Sequence, residues 1–251
     1  MEFKITDINC SLGYPVGVRP RFHDLNGLLQ AMDTYRISES VAFHTEALRD
    51  AIMGNRLARE AAGESVGRVS SCYVLRSDLG GSEIPAQEEL LAQLRAERPA
   101  AVRLYPRADG YILDAFYAGE LLEVLNELGL PVLLDPDQYP SYESLPALAA
   151  SFPNIKFVLL RQRINQTRYT RPLLSKLDNV FFDISIMIDT CFIEEAVSKY
   201  GSGRFLFGSA MPLYLPAGAL GIILYSRISD DDKAAILSGN WRSVQEGIKW
   251  K

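Results

Sequence analysis

Eight short apolar runs alternate with stretches of helical periodicity along the whole chain, and this alternation limits the fold more than any other feature. Such alternation is typical of βα units that build a parallel sheet. The predicted strands are 3–9, 39–44, 68–75, 101–105, 131–135, 156–161, 180–185 and 204–208. The predicted helices are 25–36, 46–62, 85–97, 115–129, 142–151, 168–177, 190–200 and a last one, 229–247, which begins at an acidic cluster suited to helix capping.

The number of these units favours one closed architecture. Eight strands, seven intervening helices and a closing helix in 251 residues match a (β/α)8 TIM barrel, which is usually about 250 residues long. No linker or shift in composition divides the chain, so we expect a single domain over 1–251. The alternative, an open doubly wound sheet, would need a glycine-rich phosphate turn after the first strand, and NCSLGYPVG is not such a turn. Residues 209–228 are expected to form a long loop followed by a helix.

The composition argues against several classes of function. A net charge of −5 disfavours a nucleic-acid surface, and no apolar run approaches the length of a membrane span. The first residues, MEFKITD, lack the apolar core of a secretion signal. Three widely spaced cysteines fit buried thiols in a reducing compartment. We therefore expect a cytoplasmic protein with no nucleic-acid or membrane partner.

The first predicted strand carries polar residues on one face. In an extended segment Asp7, Asn9 and Ser11 share one side, while Ile8, Cys10 and Leu12 share the other. The alternation predicts that Cys10 packs against the helices, and we interpret Cys72, in the third strand, in the same way.

Several segments, taken in order, resemble one family of barrels. They are ITDINCSLG (5–13), MGNRLAREAAGES (53–65), VRLYP (102–106), LGLPVLLD (128–135), FPNIKFVLLRQ (152–162), NVFFDIS (179–185), RFLFGSAMP (204–212) and AILSGN (235–240). Their order and spacing are similar to those of the amidohydrolase-related family. The resemblance implies a (β/α)8 barrel of the metallo-dependent-hydrolase type, a hydrolase ancestry and pairing as a homodimer.

The positions that hold metal in that family carry other residues here. The family's first strand reads Asp-x-His-x-His, and its two histidines fall on Asn9 and Ser11. The fifth-strand histidine falls near Asp135, the sixth-strand histidine on Arg161, and the eighth-strand aspartate on Ala210. Since zinc sites need converging histidine, cysteine or carboxylate ligands, we predict a divergent member with no metal and no other cofactor. An all-oxygen aspartate site for magnesium or manganese is the alternative.

Polar side chains at the C-terminal strand ends of a barrel face its binding site. Four arginines are predicted there, and a guanidinium binds a carboxylate in a bidentate manner. We hypothesise a small anionic ligand, a carboxylate, held by Arg161 with help from Arg76, Arg103 or Arg163. Alternatively, Arg161 pairs with Asp135 or Asp183 and replaces the charge of the metal. The predicted set is Asn9, Ser11, His44, Arg76, Arg103, Tyr105, Asp135, Asp137, Arg161, Arg163, Asp183, Ser185 and Ser209.

The candidates for proton transfer are few, because the chain contains only two histidines. His44 ends the second strand and is a candidate base, although a structural histidine at a strand end is the alternative. Asp135 and Asp137 can act as acid and base, or belong to a solvated loop. His23 is expected to be exposed or beside a helix cap, and Asp183 to be buried and paired.

Two functions remain open from the sequence. The first is a non-catalytic or weakly active barrel that binds a small carboxylate. The second is a metal-independent hydrolase or lyase that acts on a small carboxylated substrate. Fold analogy alone does not choose between them.

Overall fold

The structure, a computed structural model, describes residues 3–15, 17–77, 85–138, 141–188 and 191–251. Eight parallel strands pair in chain order to form one sheet, which confirms the (β/α)8 barrel. The strands are β1 (Thr6–Leu12), β2 (Glu39–His44), β3 (Val69–Leu75), β4 (Ala101–Leu104), β5 (Val132–Leu134), β6 (Phe157–Leu159), β7 (Val180–Asp183) and β8 (Phe205–Leu206).

Helices connect successive strands, as the periodicity predicts. They are α1 (Leu25–Thr34), α2 (Ala51–Glu64), α3 (Gln87–Glu97), α4 (Pro106–Asp109), α5 (Gly119–Leu128), α6 (Leu145–Ser151), α7 (Thr167–Lys176), α8 (Phe192–Tyr200), α9 (Pro216–Leu224), α10 (Asp230–Ala234) and α11 (Asn240–Glu246). Position 190, the predicted first residue of α8, lies outside the described residues. Within the described ranges, no helix is both long and apolar enough to cross a bilayer.

Two predicted helices are interrupted, each for a local reason. The segment predicted as 46–62 starts with a 3₁₀ turn, Thr45–Leu48, and then restarts as α2, because the Asp50 side chain accepts a bond from the amide of Met53 (2.9 Å). In the last helix a π turn, Ala235–Gly239, separates α10 from α11. The predicted acidic cap is present: the Ser229 hydroxyl accepts from the amide of Asp232.

The barrel closes through few contacts between its first and last strands. The amide of Ile8 donates to the carbonyl of Phe207 (3.0 Å), and the amide of Ser11 donates to the carbonyl of Met211 (2.9 Å). Because β8 contains only two residues, most of this closure lies in the segment that follows it.

The π turn ties the C-terminal helices to this closure. It leaves the Ile236 carbonyl free to accept a bond from the amide of Phe207 (3.0 Å). The Ser238 hydroxyl lies 2.9 Å from the hydroxyl of Thr6 in β1. The π turn between α10 and α11 therefore contacts both β1 and the segment that follows β8.

The buried residues divide between the inside of the barrel and the layer beneath the helices. Cys10 belongs to the outer cluster, beneath the helices, which also contains Leu28 and Met32 of α1, as predicted. Ile8 and Cys72 instead belong to the inner cluster. The inward orientation of Ile8 follows from an irregularity in the β1–β2 register between Asp7 and Cys10. One extra residue in β1 reverses, at that point, the alternation of inward and outward side chains. Cys72 faces inward because its neighbour Tyr73 packs in the outer layer.

Candidate active site

A cavity of about 220 Å³ lies at the C-terminal ends of the strands. We call it the mouth cavity. Its apolar wall includes Phe43, Met211 and Leu213. Its polar lining comes from Asn9, Ser11, Thr45, Arg103, Tyr105, Asp135, Asp137, Gln138 and Arg161. Most of this polar lining lies at positions that the sequence predicts for the mouth.

Asp135 is the centre of a buried ion cluster in this cavity. Its Oδ2 accepts from Nη1 of Arg103 (3.1 Å) and from the hydroxyl of Tyr105 (3.0 Å), while its Oδ1 accepts from Nη2 of Arg161 (2.7 Å). The side chains of Arg103, Asp135 and Arg161 are 4%, 14% and 25% exposed. Such charge-assisted bonds are the strongest ordinary hydrogen bonds in proteins. The predicted alternative, in which Arg161 pairs with Asp135, is the arrangement observed.

The surroundings of Asp135 keep it ionised. Burial alone would raise its pKa, but the charges of Arg103 and Arg161 outweigh burial and hold the pKa below its usual value. Burial and the charge of Asp135 together raise the pKa of Tyr105, which therefore stays protonated. A carboxylate with a lowered pKa is a weak base, so Asp135 suits charge pairing better than the proton transfer suggested by the sequence.

Asn9 joins this cluster to a second buried carboxyl group. Its Oδ1 accepts from Nη2 of Arg103 (2.7 Å), and its Nδ2 donates to Oδ2 of Asp183 (2.6 Å). The amide is thus fixed in orientation, with the oxygen toward the cation and the nitrogen toward the anion.

Asp183 is fully buried and accepts several bonds, as predicted. Its Oδ1 accepts from the amide of Ser185 (2.6 Å), and its Oδ2 accepts from the Ser185 hydroxyl (3.0 Å) and from the amide of Arg161 (3.4 Å). Burial and, to a smaller extent, the nearby Asp7 raise the pKa of Asp183 to about 6. The hydrogen bonds that Asp183 accepts act in the opposite direction and limit this rise in the pKa.

Asp7 is a member of the site that the sequence analysis did not select. Its side chain is fully buried, and its Oδ1 accepts from the amides of Asn9 and Ser209 (both 3.0 Å). Its Oδ2 has no hydrogen-bond partner among the described residues, and burial raises its pKa. The alternation of Asp7 with Asn9 and Ser11 was the signal that could have identified it.

Two residues at the mouth adopt a backbone conformation that side chains disfavour. Arg161 and Ala210 have φ values of 50° and 58°, and both line the mouth cavity. Left-handed non-glycine residues cost free energy and cluster at functional sites. Gly208 lies beside them, and a Cβ there would come within 2.7 Å of Oδ1 of Asp183.

Three predicted residues have other surroundings. Arg76 pairs with Asp109 (Nε–Oδ1, 3.2 Å) and donates to the carbonyl of Leu48, so it fixes the end of β3. Arg163 is exposed. The Ser209 hydroxyl is buried and accepts from the amide of Met211 (3.0 Å). Of the four arginines, Arg103 and Arg161 line the mouth cavity in the described part of the chain.

His44 lies in an adjoining cleft of about 560 Å³, together with His23. Its Nδ1 accepts from the amide of Glu46 (3.2 Å) and caps the 3₁₀ turn, while burial lowers its pKa. This arrangement favours the structural alternative for His44. His23 is exposed beside Asp24, the N-cap of α1, as predicted, and stacks on Tyr14.

Comparisons with known proteins agree with this architecture. The family model described as amidohydrolase matches residues 11–242, whereas no curated protein matches the chain. The structure of 5-carboxyvanillate decarboxylase from Sphingomonas paucimobilis has a TM-score of 0.75 at 13% identity and covers 99% of this chain and 100% of that chain.

Two further solved structures are similar. A dihydroxybenzoic acid decarboxylase from a Polaromonas species, with bound manganese and the inhibitor 2-nitroresorcinol, has a TM-score of 0.71 at 12% identity and covers 98% of this chain and 97% of that chain. A probable 2-pyrone-4,6-dicarboxylic acid hydrolase from Acinetobacter baumannii, with citric acid bound, has a TM-score of 0.69 at 15% identity and covers 97% and 99%. At these identities the likeness establishes the fold.

The residues at the mouth do not fit a metal ion. Guanidinium groups donate hydrogen bonds and carry positive charge, and two of them already face Asp135. The oxygen of Asn9 is directed at Arg103. Among the described residues, no three histidine, cysteine or acidic side chains are grouped so that they could hold an ion. The same chemistry argues against the all-oxygen aspartate alternative.

Proposed function

Since the chain belongs to the amidohydrolase family, we propose that it is a divergent barrel that binds a small carboxylate through arginine and has lost the metal centre. In this proposal the protein is non-catalytic or weakly active. The observation that supports it is the Arg103–Asp135–Arg161 cluster, which puts two cations and one anion at the mouth.

The exposed part of the cluster suits an anionic ligand. Arg161 is one quarter exposed at the cavity, and only its Nη2 is engaged in the bonds of the described residues. A ligand carboxylate would accept from the terminal guanidinium nitrogens of Arg161, whose Nε is buried, beside the hydroxyl of Tyr105. The similar structures include a decarboxylase named for 5-carboxyvanillate and a hydrolase with bound citric acid, so related barrels bind carboxylates.

The cavity limits the size of the ligand. A volume of about 220 Å³ lies below the roughly 300–1,000 Å³ of pockets that hold drug-sized ligands, so the ligand should be small. The wall formed by Phe43, Met211 and Leu213 favours an apolar body behind the carboxylate. Benzoate and shorter monocarboxylates are therefore suitable probes.

A thermal-shift titration tests the proposal. Benzoate at about 100 times its Kd stabilises a protein by about 2.7 kcal/mol, which is roughly 5–10 °C for a chain of this size. We expect this shift with benzoate but not with neutral benzamide. We expect Arg161→Ala to abolish it, and Arg163→Ala, an exposed arginine two residues away, to retain it. The absence of a shift with every small carboxylate, or an equal shift in Arg161→Ala, would contradict the proposal.

A metal-independent hydrolase or lyase is the second candidate function. The strained backbone of Arg161 and Ala210 favours it, because such strain is common at catalytic sites. Turnover of an ester, lactone or amide that disappears in Asp135→Asn would support it. Inactivity across such a panel, together with carboxylate binding, favours the binding function.

A further inference from the structure

The buried groups of the mouth have an uneven charge balance. Three carboxyl groups, those of Asp7, Asp135 and Asp183, are connected with the guanidinium groups of Arg103 and Arg161 through Asn9 and backbone amides. If all five groups were ionised, the cluster would carry a net charge of −1. Such a cluster repels an anion, so a carboxylate ligand can enter only if the cluster also holds protons.

The hydrogen bonds indicate which carboxyl group holds a proton at rest. Asp135 lies between two guanidinium groups and stays ionised. Asp7 is fully buried, and its Oδ2 accepts no hydrogen bond of ordinary geometry among the described residues. The neighbouring Ser209 and Cys10 side chains offset only part of the desolvation, so a charged carboxylate is costly there. Asp7 is therefore the group that is neutral at rest. Asp183 accepts bonds on both oxygens and is ionised near neutral pH.

We infer that the mouth takes up its carboxylate ligand together with one proton, which the Asp7–Asp183 pair receives. The inference deepens the proposed function and depends on it. With Asp7 neutral, the resting cluster has zero net charge, and a bound monocarboxylate makes it −1. A proton from solvent that adds to a carboxyl oxygen of the pair restores neutrality. No bond of the ligand changes in this step.

The groups packed around the pair do not replace this proton. From β1 it is faced by the Asn9 amide and the Cys10 thiol, whose pKa is raised above its ordinary value by burial and by Asp7. From the segments that follow β6 and β7 it is faced by the backbone amide of Arg161 and by Ser185. The amide of Ser209, three residues after the end of β8, completes the surroundings. Arg103 and Asp135 act on the pair through Asn9, and their charges are already paired with each other.

The pH dependence of binding follows from the resting state. The pKa of Asp183 is about 6, so at about pH 7 the proton must come from solvent, whereas below that pKa it is already present. Ligand affinity should therefore be constant at low pH. Above the pKa of the free pair it should fall by up to about tenfold per pH unit.

Calorimetric titration with benzoate at about pH 7, in imidazole and in Bis-Tris buffers, tests the inference. The two cationic buffers release protons with different enthalpies, so the difference in binding heat counts the protons taken up. We expect close to one proton per benzoate at about pH 7 and a smaller number below about pH 6. Equal heats in the two buffers, with benzoate bound, would overturn the inference and leave the proposed function intact. Failure of benzoate to bind at either pH would instead refute the proposed function.

Variants separate Asp183 from the other acids. We expect Asp183→Asn to bind benzoate with no proton uptake and with little pH dependence. Glu143→Gln, at an exposed acid outside the lining of the mouth cavity, should keep the wild-type uptake. Wild-type uptake in a folded Asp183→Asn would overturn the assignment to the pair. If Asp183→Asn does not fold, the two-buffer measurement on the wild-type protein still decides.

Discussion

Replacement of Asp135 by asparagine tests whether the mouth is held together by charge. The substitution keeps the size of the side chain but removes the anion between two guanidinium groups. Arg103, only 4% exposed, would lose the charge that offsets its desolvation. Arg161, at 25% exposure, would lose less because solvent screens it.

The buried pair of Arg103 and Asp135 determines how much stability the Asp135→Asn variant loses. Removal of one partner of a buried ion pair costs about 3–5 kcal/mol, because the other charge stays buried. For a chain of about 250 residues each kcal/mol lowers the melting temperature by roughly 2–4 °C, so we expect Asp135→Asn to melt at least about 6 °C lower. Since the pKa of Asp135 is lowered in the folded state, the loss should be complete above about pH 5. It should disappear as the pH falls through that lowered pKa.

Thermal melting of the four proteins of a double-mutant cycle (the wild type, Asp135→Asn, Arg103→Met and the double variant) provides the measurement. Arg103→Met in the Asp135→Asn background removes the orphaned cation and should restore much of the lost stability. Asp137→Asn is the control, because that side chain is exposed. A loss below about 1 kcal/mol in Asp135→Asn, or no recovery in the double variant, would show that the cluster does not hold the mouth together by charge.

Three further predictions concern the same region. Gly208→Ala should lower stability by about 1–3 kcal/mol, since its Cβ would meet Oδ1 of Asp183 at 2.7 Å, while Gly218→Ala, with nothing within 4 Å, should be neutral or stabilising in thermal melts. Ala210→Gly should raise the unfolding free energy by about 0.5–1 kcal/mol in urea titrations, because glycine tolerates the left-handed φ of 58°. Elemental analysis of the purified protein should find no stoichiometric zinc or manganese, and a chelator should leave the melting temperature unchanged; one metal ion per chain would refute the metal-free proposal.

The strand ends could be predicted from the sequence because parallel strands bring their C-terminal ends to one rim. Arg103, Tyr105, Asp135 and Arg161 lie at or just beyond such ends, whereas Asn9 lies in the middle of β1. The structure brings all five to one cavity. The resemblance to the family motifs predicted the order of the strands along the chain. The sequence could not decide whether Arg161 binds a ligand or pairs with a buried carboxylate, because an arginine suits both roles. The distance from Arg161 to Asp135 in the structure shows the pairing.

Other features depend on tertiary detail that no local pattern contains. The irregularity in β1 turns Ile8 inward against the expected alternation. His44 follows the pattern of a mouth residue, but it caps a 3₁₀ turn and lies in the adjoining cleft. Arg76 pairs with Asp109, a residue of the next βα unit. The alternation of Asp7 with Asn9 and Ser11 indicates its face, but only the folded structure shows that its Oδ2 lacks a hydrogen bond.

The way in which the barrel closes has a consequence for its synthesis on the ribosome. Ile8 and Thr6 of β1 form hydrogen bonds with Phe207 and Ser238, respectively. The first strand therefore cannot complete its bonds until residues near the end of the chain have been synthesised. Until then the nascent sheet has two open edges, which are prone to pair with other chains. We therefore expect premature termination before the π turn to yield an aggregating chain rather than a smaller folded one, and chaperones to matter most late in elongation.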